Sequence, residues 1–354
     1  MRLSERCGLC AAIALILLTG CEKDESRSSS SSPTPTAAQR AAINAPAPTV
    51  QLAPLEVRRF IDGRADFVSV AVAPDGGSAL SGGRTDTTLR LWDTGTGQRL
   101  RAYEDAPGAT HVAFSSDGSE AIYAGPQFPF TVLNLQSGDQ GQVSVGHPGQ
   151  AACIAISPTE NRAATGAADP SVLSRGSVFL WDLETGDEAG RFGGHTAPVS
   201  AVAYSPDGNY LASSSLDGTV RIWRVDDGNE MRSFSTGRPV WDVAYAKSGL
   251  HVLSGGESAA ATLWDLSQGS ALGTLEHPVG HIRSVALSPD GALAATGGDR
   301  LYPKIHLWDL GTGRVLHIYD GHTDAIIDLI FTPSGTHLLS CSDDGTMRLW
   351  QQPR

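Results

Sequence analysis

Six of the seven tryptophans in this 354-residue chain recur at one position of a repeated segment. The repeats end at Trp92, position 133, Trp181, Trp223, Trp264, Trp308 and Trp350, which are separated by 41, 48, 42, 41, 44 and 42 residues. A leucine stands at position 133, so the second repeat has lost its tryptophan. A period of about 40–45 residues that carries a Trp-Asp pair predicts four-stranded antiparallel blades arranged as a propeller.

The fourth repeat shows most clearly where the strands of one blade should lie. Short apolar or β-branched segments at 199–204, 210–214, 219–223 and 230–234 are separated by Asp-Gly turns, one of them Ser205-Pro206-Asp207-Gly208. A blade of this size cannot bury its own apolar faces, so neighbouring blades must stack to form a core. We therefore expect residues 55–354 to form one all-β domain, a seven-bladed propeller.

The ring is expected to close through a strand that precedes the first repeat. The seventh repeat supplies three predicted strands, the last of which ends at Trp350. Residues 58–63 read RRFIDG and resemble the fourth-strand segment LHIYDG at 316–321. We expect residues 56–61 to complete the last blade, because closure would remove the largest exposed sheet edge.

These repeats resemble the WD40 family over about 300 of the 354 residues. The resemblance implies a buried hydrogen-bonded tetrad in the two best-preserved repeats: His195, Ser213, Asp217 and Trp223 in the fourth, and His322, Ser340, Asp344 and Trp350 in the seventh. A buried indole N–H requires an acceptor, and a neutral histidine donates at one nitrogen and accepts at the other. Serine, histidine and aspartate also compose catalytic triads, but we favour the structural interpretation here.

The family resemblance also implies that one face of the propeller binds peptides. One comparable position lies just before each inner strand: Val68, Thr110, Ala152, Ser200, Trp241, Arg283 and Ile327. Tryptophan and arginine are common anchors of interfaces, so the neighbouring Trp241 and Arg283 are the first candidates. Packing between blades is the alternative for Trp241, and a solvated surface charge is the alternative for Arg283.

Two insertions between second and third strands are expected to rim the same face. They span 172–175 and 300–304 and contribute Arg175, Arg300 and Tyr302. In the second repeat, Phe128 and Phe130 either form an exposed apolar patch or replace the missing tryptophan in packing. We favour packing for these two phenylalanines.

Several classes of function are disfavoured by the sequence. The net charge of −12 and the lack of a Lys/Arg cluster disfavour nucleic-acid binding. The Gly-Thr-Gly segments lie between strands, so they lack the helix N-terminus of a phosphate site. Histidines recur about once per repeat, and Cys153 and Cys341 lie in non-adjacent repeats, which favours neither a metal site nor a disulfide. We predict no catalytic residue, no cofactor and no metal.

The first 54 residues predict export and a lipid anchor. Arg2 and Arg6 precede an apolar run at 9–18, which is too short to span a bilayer and is typical of a signal peptide at residues 1–20. The sequence LTGC at 18–21 resembles the lipobox of bacterial lipoproteins, which implies lipid attachment at Cys21. Residues 21–54 are rich in Ser, Pro, Thr and Ala and are expected to be a flexible linker.

Together these features predict a monomeric, lipid-anchored propeller in the bacterial cell envelope that binds a protein or peptide partner on one face. Glu22 follows Cys21 where an aspartate would favour inner-membrane retention, so we expect the outer membrane, facing the periplasm, over the inner membrane or the cell surface. Two alternatives remain open. One is an envelope hydrolase or oxidoreductase with its site at the channel mouth, and the other is a structural component without a specific partner site.

Overall fold

The computed structural model describes residues 55–62, 66–85, 88–104, 106, 109–125, 130–143, 151–168 and 176–353. Within these ranges the chain forms 28 β-strands and no helix, and the strands make seven four-stranded antiparallel sheets. The fold predicted from the repeat period, a seven-bladed all-β propeller, is confirmed. The predicted signal peptide, Cys21 and the linker lie outside the described residues, as do Arg175 and Phe128. No helix in the described ranges is long and apolar enough to cross a membrane.

Strand β1 (Glu56–Phe60) precedes the first blade, and the first four blades follow in chain order. Blade 1 contains β2 (Phe67–Val72), β3 (Ser78–Gly83), β4 (Leu89–Asp93) and β5 (Arg99–Tyr103). Blade 2 contains β6 (His111–Phe114), β7 (Glu120–Ala124), β8 (Thr131–Asn134) and β9 (Gln140–Val143). Blade 3 contains β10 (Ala151–Ile156), β11 (Arg162–Ala168), β12 (Gly176–Asp182) and β13 (Glu188–His195). Blade 4 contains β14 (Val199–Tyr204), β15 (Tyr210–Ser215), β16 (Thr219–Arg224) and β17 (Glu230–Ser235).

The remaining strands complete the ring. Blade 5 contains β18 (Val240–Tyr245), β19 (His251–Gly256), β20 (Ala260–Asp265) and β21 (Ser270–Glu276). Blade 6 contains β22 (Ile282–Leu287), β23 (Leu293–Gly298), β24 (Ile305–Asp309) and β25 (Arg314–Tyr319). Blade 7 contains β26 (Ile326–Phe331), β27 (His337–Ser342) and β28 (Met347–Gln351).

The fourth strand of blade 7 is β1, which pairs antiparallel with β28. This is the closure that the sequence predicts. Phe60 is fully buried at the joint between blades 7 and 1, and its ring lies 5.7 Å from that of Trp92 in an edge-to-face contact. Glu56 accepts a hydrogen bond from the buried Arg348 at 2.7 Å. The two ends of the repeat region are therefore joined by backbone pairing, aromatic packing and an ion pair.

The turns follow from local residue chemistry. In blade 4, the Asp207 carboxylate accepts hydrogen bonds from the hydroxyl of Ser205 at 2.6 Å and the backbone N–H of Asn209 at 3.1 Å. Gly208 then takes a φ of 73°, a left-handed conformation that costs glycine little. The short turn sets the register between β14 and β15 and thereby aligns the inner strand with the rest of its blade.

The first strand of every blade lines a central channel with a volume of about 620 Å³. Six of these strands carry a bulge at their second residue, which is skipped in the pairing with the neighbouring strand. The skipped residues are Val68, Ala152, Ser200, Trp241, Arg283 and Ile327. The sequence predicts this series just before the inner strands. The structure instead places these six inside the strands, where they line the channel.

Candidate functional site

The predicted tetrad of blade 4 is hydrogen-bonded throughout. The Nδ1 atom of His195 lies 2.9 Å from a carboxylate oxygen of Asp217, and its Nε2 atom lies 2.7 Å from the hydroxyl oxygen of Ser213. The indole of Trp223 donates to the same hydroxyl oxygen at 2.8 Å. Because Asp217 accepts the Nδ1 proton, Nε2 is left as the acceptor for the serine hydroxyl. All polar hydrogens of the set are thus satisfied.

Blade 7 repeats this arrangement almost atom for atom. The corresponding distances are 2.8 Å from His322 to Asp344, 2.7 Å from His322 to Ser340 and 2.8 Å from Trp350 to Ser340. Burial favours the neutral form of the Asp344 carboxyl, but hydrogen bonds from His322 and Thr346 outweigh it, and the pKa of Asp344 lies well below its ordinary value. The carboxylate therefore stays charged and holds the imidazole in one tautomer.

The geometry of Ser213, His195 and Asp217 matches a catalytic triad, but its surroundings do not. Ser213 is fully buried and His195 is 2% exposed. The Trp223 N–H occupies a lone pair of the hydroxyl oxygen with which Ser213 would attack a substrate. A nucleophile must reach its substrate, and this buried oxygen has no route to one. The tetrad therefore joins the second and third strands of blade 4 and ties them to His195 at the end of β13 in blade 3.

The same indole contact occurs in all six blades that carry the repeated tryptophan. Each Nε1 donates at 2.8 Å to a hydroxyl on the second strand of its blade: Trp92 to Ser81, Trp181 to Thr165, Trp223 to Ser213, Trp264 to Ser254, Trp308 to Thr296 and Trp350 to Ser340. In blade 2, Phe130 is fully buried and packs edge-to-face against Trp181 of blade 3 at 5.8 Å. Phe130 is thus a core residue and packs between blades, as the sequence predicts.

Blade 6 departs from the pattern that its sequence suggests. The Gly280-His281 pair resembles the tetrad histidines of other repeats, yet it is His277 that contacts the blade's hydroxyl, with Nε2 2.7 Å from Thr296. His277 packs against His306 with ring centroids 4.2 Å apart, and Tyr302 approaches the His306 Nε2 at 3.1 Å. His277 is separated from β22 by one residue more than His195 is from β14, and the sequence did not identify His277 as the histidine of this contact.

Tyr302, predicted as a residue of the binding face, is half-buried. Its ring contacts those of His277 and His306 edge-to-face. Burial lowers the pKa of His277 to about 4. Burial and the neighbouring His277 together lower the pKa of His306 to about 3. Both histidines are neutral near pH 7, and in each one Nδ1 has no hydrogen-bond partner.

Trp241 and Arg283, the first candidates from the sequence, lie together at one mouth of the channel. The guanidinium carbon of Arg283 is 4.8 Å from the centroid of the Trp241 ring, which is a cation–π arrangement. The His281 ring meets the same indole edge-to-face at 5.5 Å. Trp241 and Arg283 are both half-buried, so each keeps a solvent-facing side. Neither side chain is fully buried between blades.

Two exposed aliphatic side chains extend this cluster across the top of blade 6. Val279 is 52% exposed and Leu301 is 76% exposed. Their loops meet at Asp299, which accepts the backbone N–H of His281 at 3.0 Å and that of Leu301 at 2.9 Å. We call the five residues Trp241, Val279, His281, Arg283 and Leu301 the Trp241 patch.

The other predicted face residues have different environments. Val68 is buried in the channel wall of blade 1, and Ile327 is half-buried beside it on blade 7. Arg300 is 82% exposed, with its Nε atom 3.6 Å from a carboxylate oxygen of Asp324. The bulged positions therefore place Trp241 against Arg283 on blades 5 and 6, whereas Val68 on blade 1 is buried in the channel wall.

Two carboxylates face the channel below the Trp241 patch. Asp242 accepts hydrogen bonds at 2.8 Å from the hydroxyl of Ser284 and the backbone N–H of Val285 on blade 6. Asp328 of blade 7 accepts the backbone N–H of Val70 on blade 1 at 2.9 Å. Burial, reinforced by the charge of Asp242, raises the pKa of Asp328 to about 7. These carboxylates connect neighbouring blades, and no group of three or more metal-ligating side chains occurs in the described ranges.

These features define the class of the protein: a closed seven-bladed propeller whose blades carry buried Trp–Ser/Thr contacts and an aromatic–arginine cluster at the channel mouth. Comparison with known families identifies the repeats. Residues 56–93, 186–224, 269–309 and 313–351 match the family described as WD40, the WD domain, G-beta repeat. The chain thus carries WD40 repeats in four places, and the structure adds the blades that complete the ring.

Similar curated proteins are eukaryotic and longer than the matched region. The chain is 28% identical over 137 residues to transcription initiation factor TFIID subunit 5 of Caenorhabditis elegans, which covers 39% of this chain and 21% of that protein. It is 30% identical over 158 residues to nuclear distribution protein nudF of Emericella nidulans, covering 39% and 35%. It is 34% identical over 160 residues to nuclear distribution protein PAC1-2 of Uncinocarpus reesii, covering 39% and 34%. The chain matches about a fifth to a third of the length of these relatives.

Proposed function

We propose that this protein is a scaffold that binds a protein or peptide segment through the Trp241 patch. The observation that carries the proposal is the stacked Trp241–Arg283 pair, which stands half-exposed at the channel mouth with exposed Val279 and Leu301 beside it. Aromatic and arginine side chains with an apolar surround are the usual composition of an interface centre. One relative, transcription initiation factor TFIID subunit 5, is named as a subunit of a larger factor, which supports a role in protein binding.

The test is capture of partners by the purified propeller and by its Trp241→Ala variant. Truncating an interface anchor costs about 2 kcal/mol or more, so we expect the variant to lose at least tenfold in affinity for any captured protein. Tyr210→Ala, which removes a half-buried aromatic residue from blade 4, is the matched control. Equal capture by the Trp241→Ala variant would contradict the proposal, provided that both variants melt as folded domains.

The proposal extends to the location of the protein. Residues 1–20 act as a signal peptide, Cys21 carries lipid, and the linker to residue 54 presents the propeller in the bacterial cell envelope, on the outer membrane facing the periplasm. Its support is the sequence of the first 21 residues alone. Two or more acyl chains would provide stable anchoring.

Metabolic labelling with an alkyne fatty acid in a bacterial host tests this part separately. We expect the wild-type protein to be labelled and to fractionate with membranes, and Cys21→Ser to be unlabelled. Wild-type protein that is unlabelled and keeps its first 20 residues would contradict the lipid anchor, without bearing on the Trp241 patch.

A further inference from the structure

Beside the Trp241 patch, nitrogen-bearing side chains are more exposed than the acids they contact. The imidazole of His281 is 42% exposed, whereas Asp299, 3.3 Å from it, is 14% exposed. Arg300 is 82% exposed, whereas Asp324 beneath it is 25% exposed. A ligand that approaches from the side of Arg300 therefore meets the guanidinium before the carboxylate, although the whole chain carries a net charge of −12.

Arg283 has hydrogen-bonding capacity that the described residues do not use. Its guanidinium stacks on Trp241 but makes no hydrogen bond and no ion pair within 4.0 Å to any residue in the described ranges. The charge of Arg283 acts on the carboxyl of Asp343, but the ion pair of that acid, at 3.5 Å, is with Arg84. A guanidinium presents five N–H donors in a planar fork that fits a carboxylate. The contact with Trp241 restricts the side chain of Arg283 before a ligand binds, which reduces the entropy lost on binding.

The depth to which an anion can enter is limited by the channel itself. Asp242 is the next residue after Trp241, and its oxygens already accept hydrogen bonds from Val243, Ser284 and Val285. Asp328 faces the same channel. A ligand carboxylate that moved below Arg283 would approach Asp242 and Asp328. The N–H and O–H groups there already donate to these two acids. The favourable position for a ligand carboxylate is therefore the mouth, above the indole.

The apolar part of the patch determines what should flank that carboxylate. Val279 and Leu301 are two of the six large apolar side chains that are more than 40% exposed in the described part of the chain. Val279 lies on the loop that joins blades 5 and 6, and Leu301 lies on a loop within blade 6; both loops donate a backbone N–H to Asp299. Covering the two side chains would remove apolar surface from water and so favour binding.

We infer that the Trp241 patch recognises an acidic–apolar peptide segment, in which an Asp or Glu carboxylate pairs with Arg283 and a neighbouring aliphatic or aromatic side chain covers Val279 and Leu301. This inference rests on the proposed binding function and specifies the chemistry of the partner.

A random 12-residue peptide library displayed on phage tests the inference without knowledge of the native partner. Selection is carried out on the wild-type propeller, Arg283→Gln, Trp241→Ala and the control Arg314→Gln, whose arginine is exposed on the outer strand β25 of the same blade. We expect wild type and Arg314→Gln to enrich peptides with Asp or Glu beside an apolar residue. Arg283→Gln should lose that enrichment, because the guanidinium fork is gone.

Affinities of the best synthetic peptide then measure the contact directly. Replacing its acid by the matching amide should weaken binding to wild type about tenfold or more and should change binding to Arg283→Gln less than twofold. An amide peptide that binds wild type equally well, a selection without acidic residues, or no enrichment over empty support overturns the inference. If Trp241→Ala abolishes binding and Arg283→Gln does not, the proposed function is supported and the recognition of a carboxylate by Arg283 is contradicted. If neither variant changes binding, both the proposed function and the carboxylate recognition are contradicted.

Discussion

At the scale of single residues, the hydroxyl of Ser213 accepts the indole proton of Trp223 and donates its own to His195, whose other nitrogen is held by Asp217. The residue types of a hydrolase triad here hold strands together. Burial keeps any substrate away from them, while every hydrogen bond among them is satisfied. The corresponding contacts in blade 6 are different. There two neutral histidines stack beneath Tyr302, and each leaves one nitrogen without a partner.

The buried histidines of blade 6 predict a loss of stability in acid. The pKa values of His277 and His306 in the fold, about 4 and about 3, lie below the ordinary value of 6.5. The unfolded chain therefore binds protons first as the pH falls, and the free energy of unfolding decreases from about pH 6.5 toward pH 4. Each unit of difference in pKa is worth about 1.4 kcal/mol, so each histidine costs on the order of 2–3 kcal/mol by pH 4.

His306→Phe should flatten this dependence when thermal unfolding is followed between pH 7 and pH 4. Phenylalanine keeps the ring contact with Trp308 and cannot take up a proton. Tyr302→Phe is the control, because it removes only the hydroxyl that contacts His306 and should leave the slope unchanged. Asp328 contributes the opposite sign, since its raised pKa costs stability as the pH rises toward 7, but this contribution is common to all three proteins. Parallel pH curves for wild type and His306→Phe would contradict the assignment.

At the scale of strands and blades, two elements define the architecture: β1, which closes the ring, and the bulge at the second residue of six inner strands. Closure brings Phe60 from the start of the repeat region against Trp92 of blade 1 and beside Met347 of blade 7. The bulge brings the side chains of Trp241 and Arg283 to the channel mouth. One element thus supplies stability, and the other supplies the candidate site.

Phe60→Ala should destabilise the propeller by about 3–5 kcal/mol, the usual cost of removing a fully buried phenylalanine. Ile61→Ala, one residue further on and 61% exposed, should change stability by less than about 0.5 kcal/mol. Urea unfolding monitored by tryptophan fluorescence measures both. A change below about 1 kcal/mol for Phe60→Ala would mean that β1 contributes little to holding the ring closed.

The sequence predicts the elements better than it predicts the site. Regular tryptophan spacing and Asp-Gly turns are local signals, so blade number, strand positions and the closing strand followed from them. The contact of His277 with Thr296 was not predicted, because the sequence assigns tetrads only to the fourth and seventh repeats. The contact of Tyr302 with His277 and His306 was not predicted either, since the two histidines lie apart in the sequence. The sequence predicted Trp241 and Arg283 only as neighbours in the series of comparable positions near the inner strands, and it did not predict their contact.

At the scale of the whole molecule, an acidic ring presents on one face a cluster of an indole, an arginine and exposed aliphatic side chains. Leu301 and Leu250 allow the two faces to be compared directly. Leu301 lies between the second and third strands of blade 6, and Leu250 lies between the first and second strands of blade 5, so the antiparallel order places them at opposite ends of the channel. Both are leucines more than half exposed.

The most direct test of the central claim is photo-crosslinking in cells from these two positions. A benzophenone amino acid at position 301 should yield a discrete crosslinked product with a second protein, and Trp241→Ala in the same chain should remove that product. The same probe at position 250 should yield none. Products from position 250 equal to those from position 301, or a product that survives Trp241→Ala, would contradict binding through the Trp241 patch.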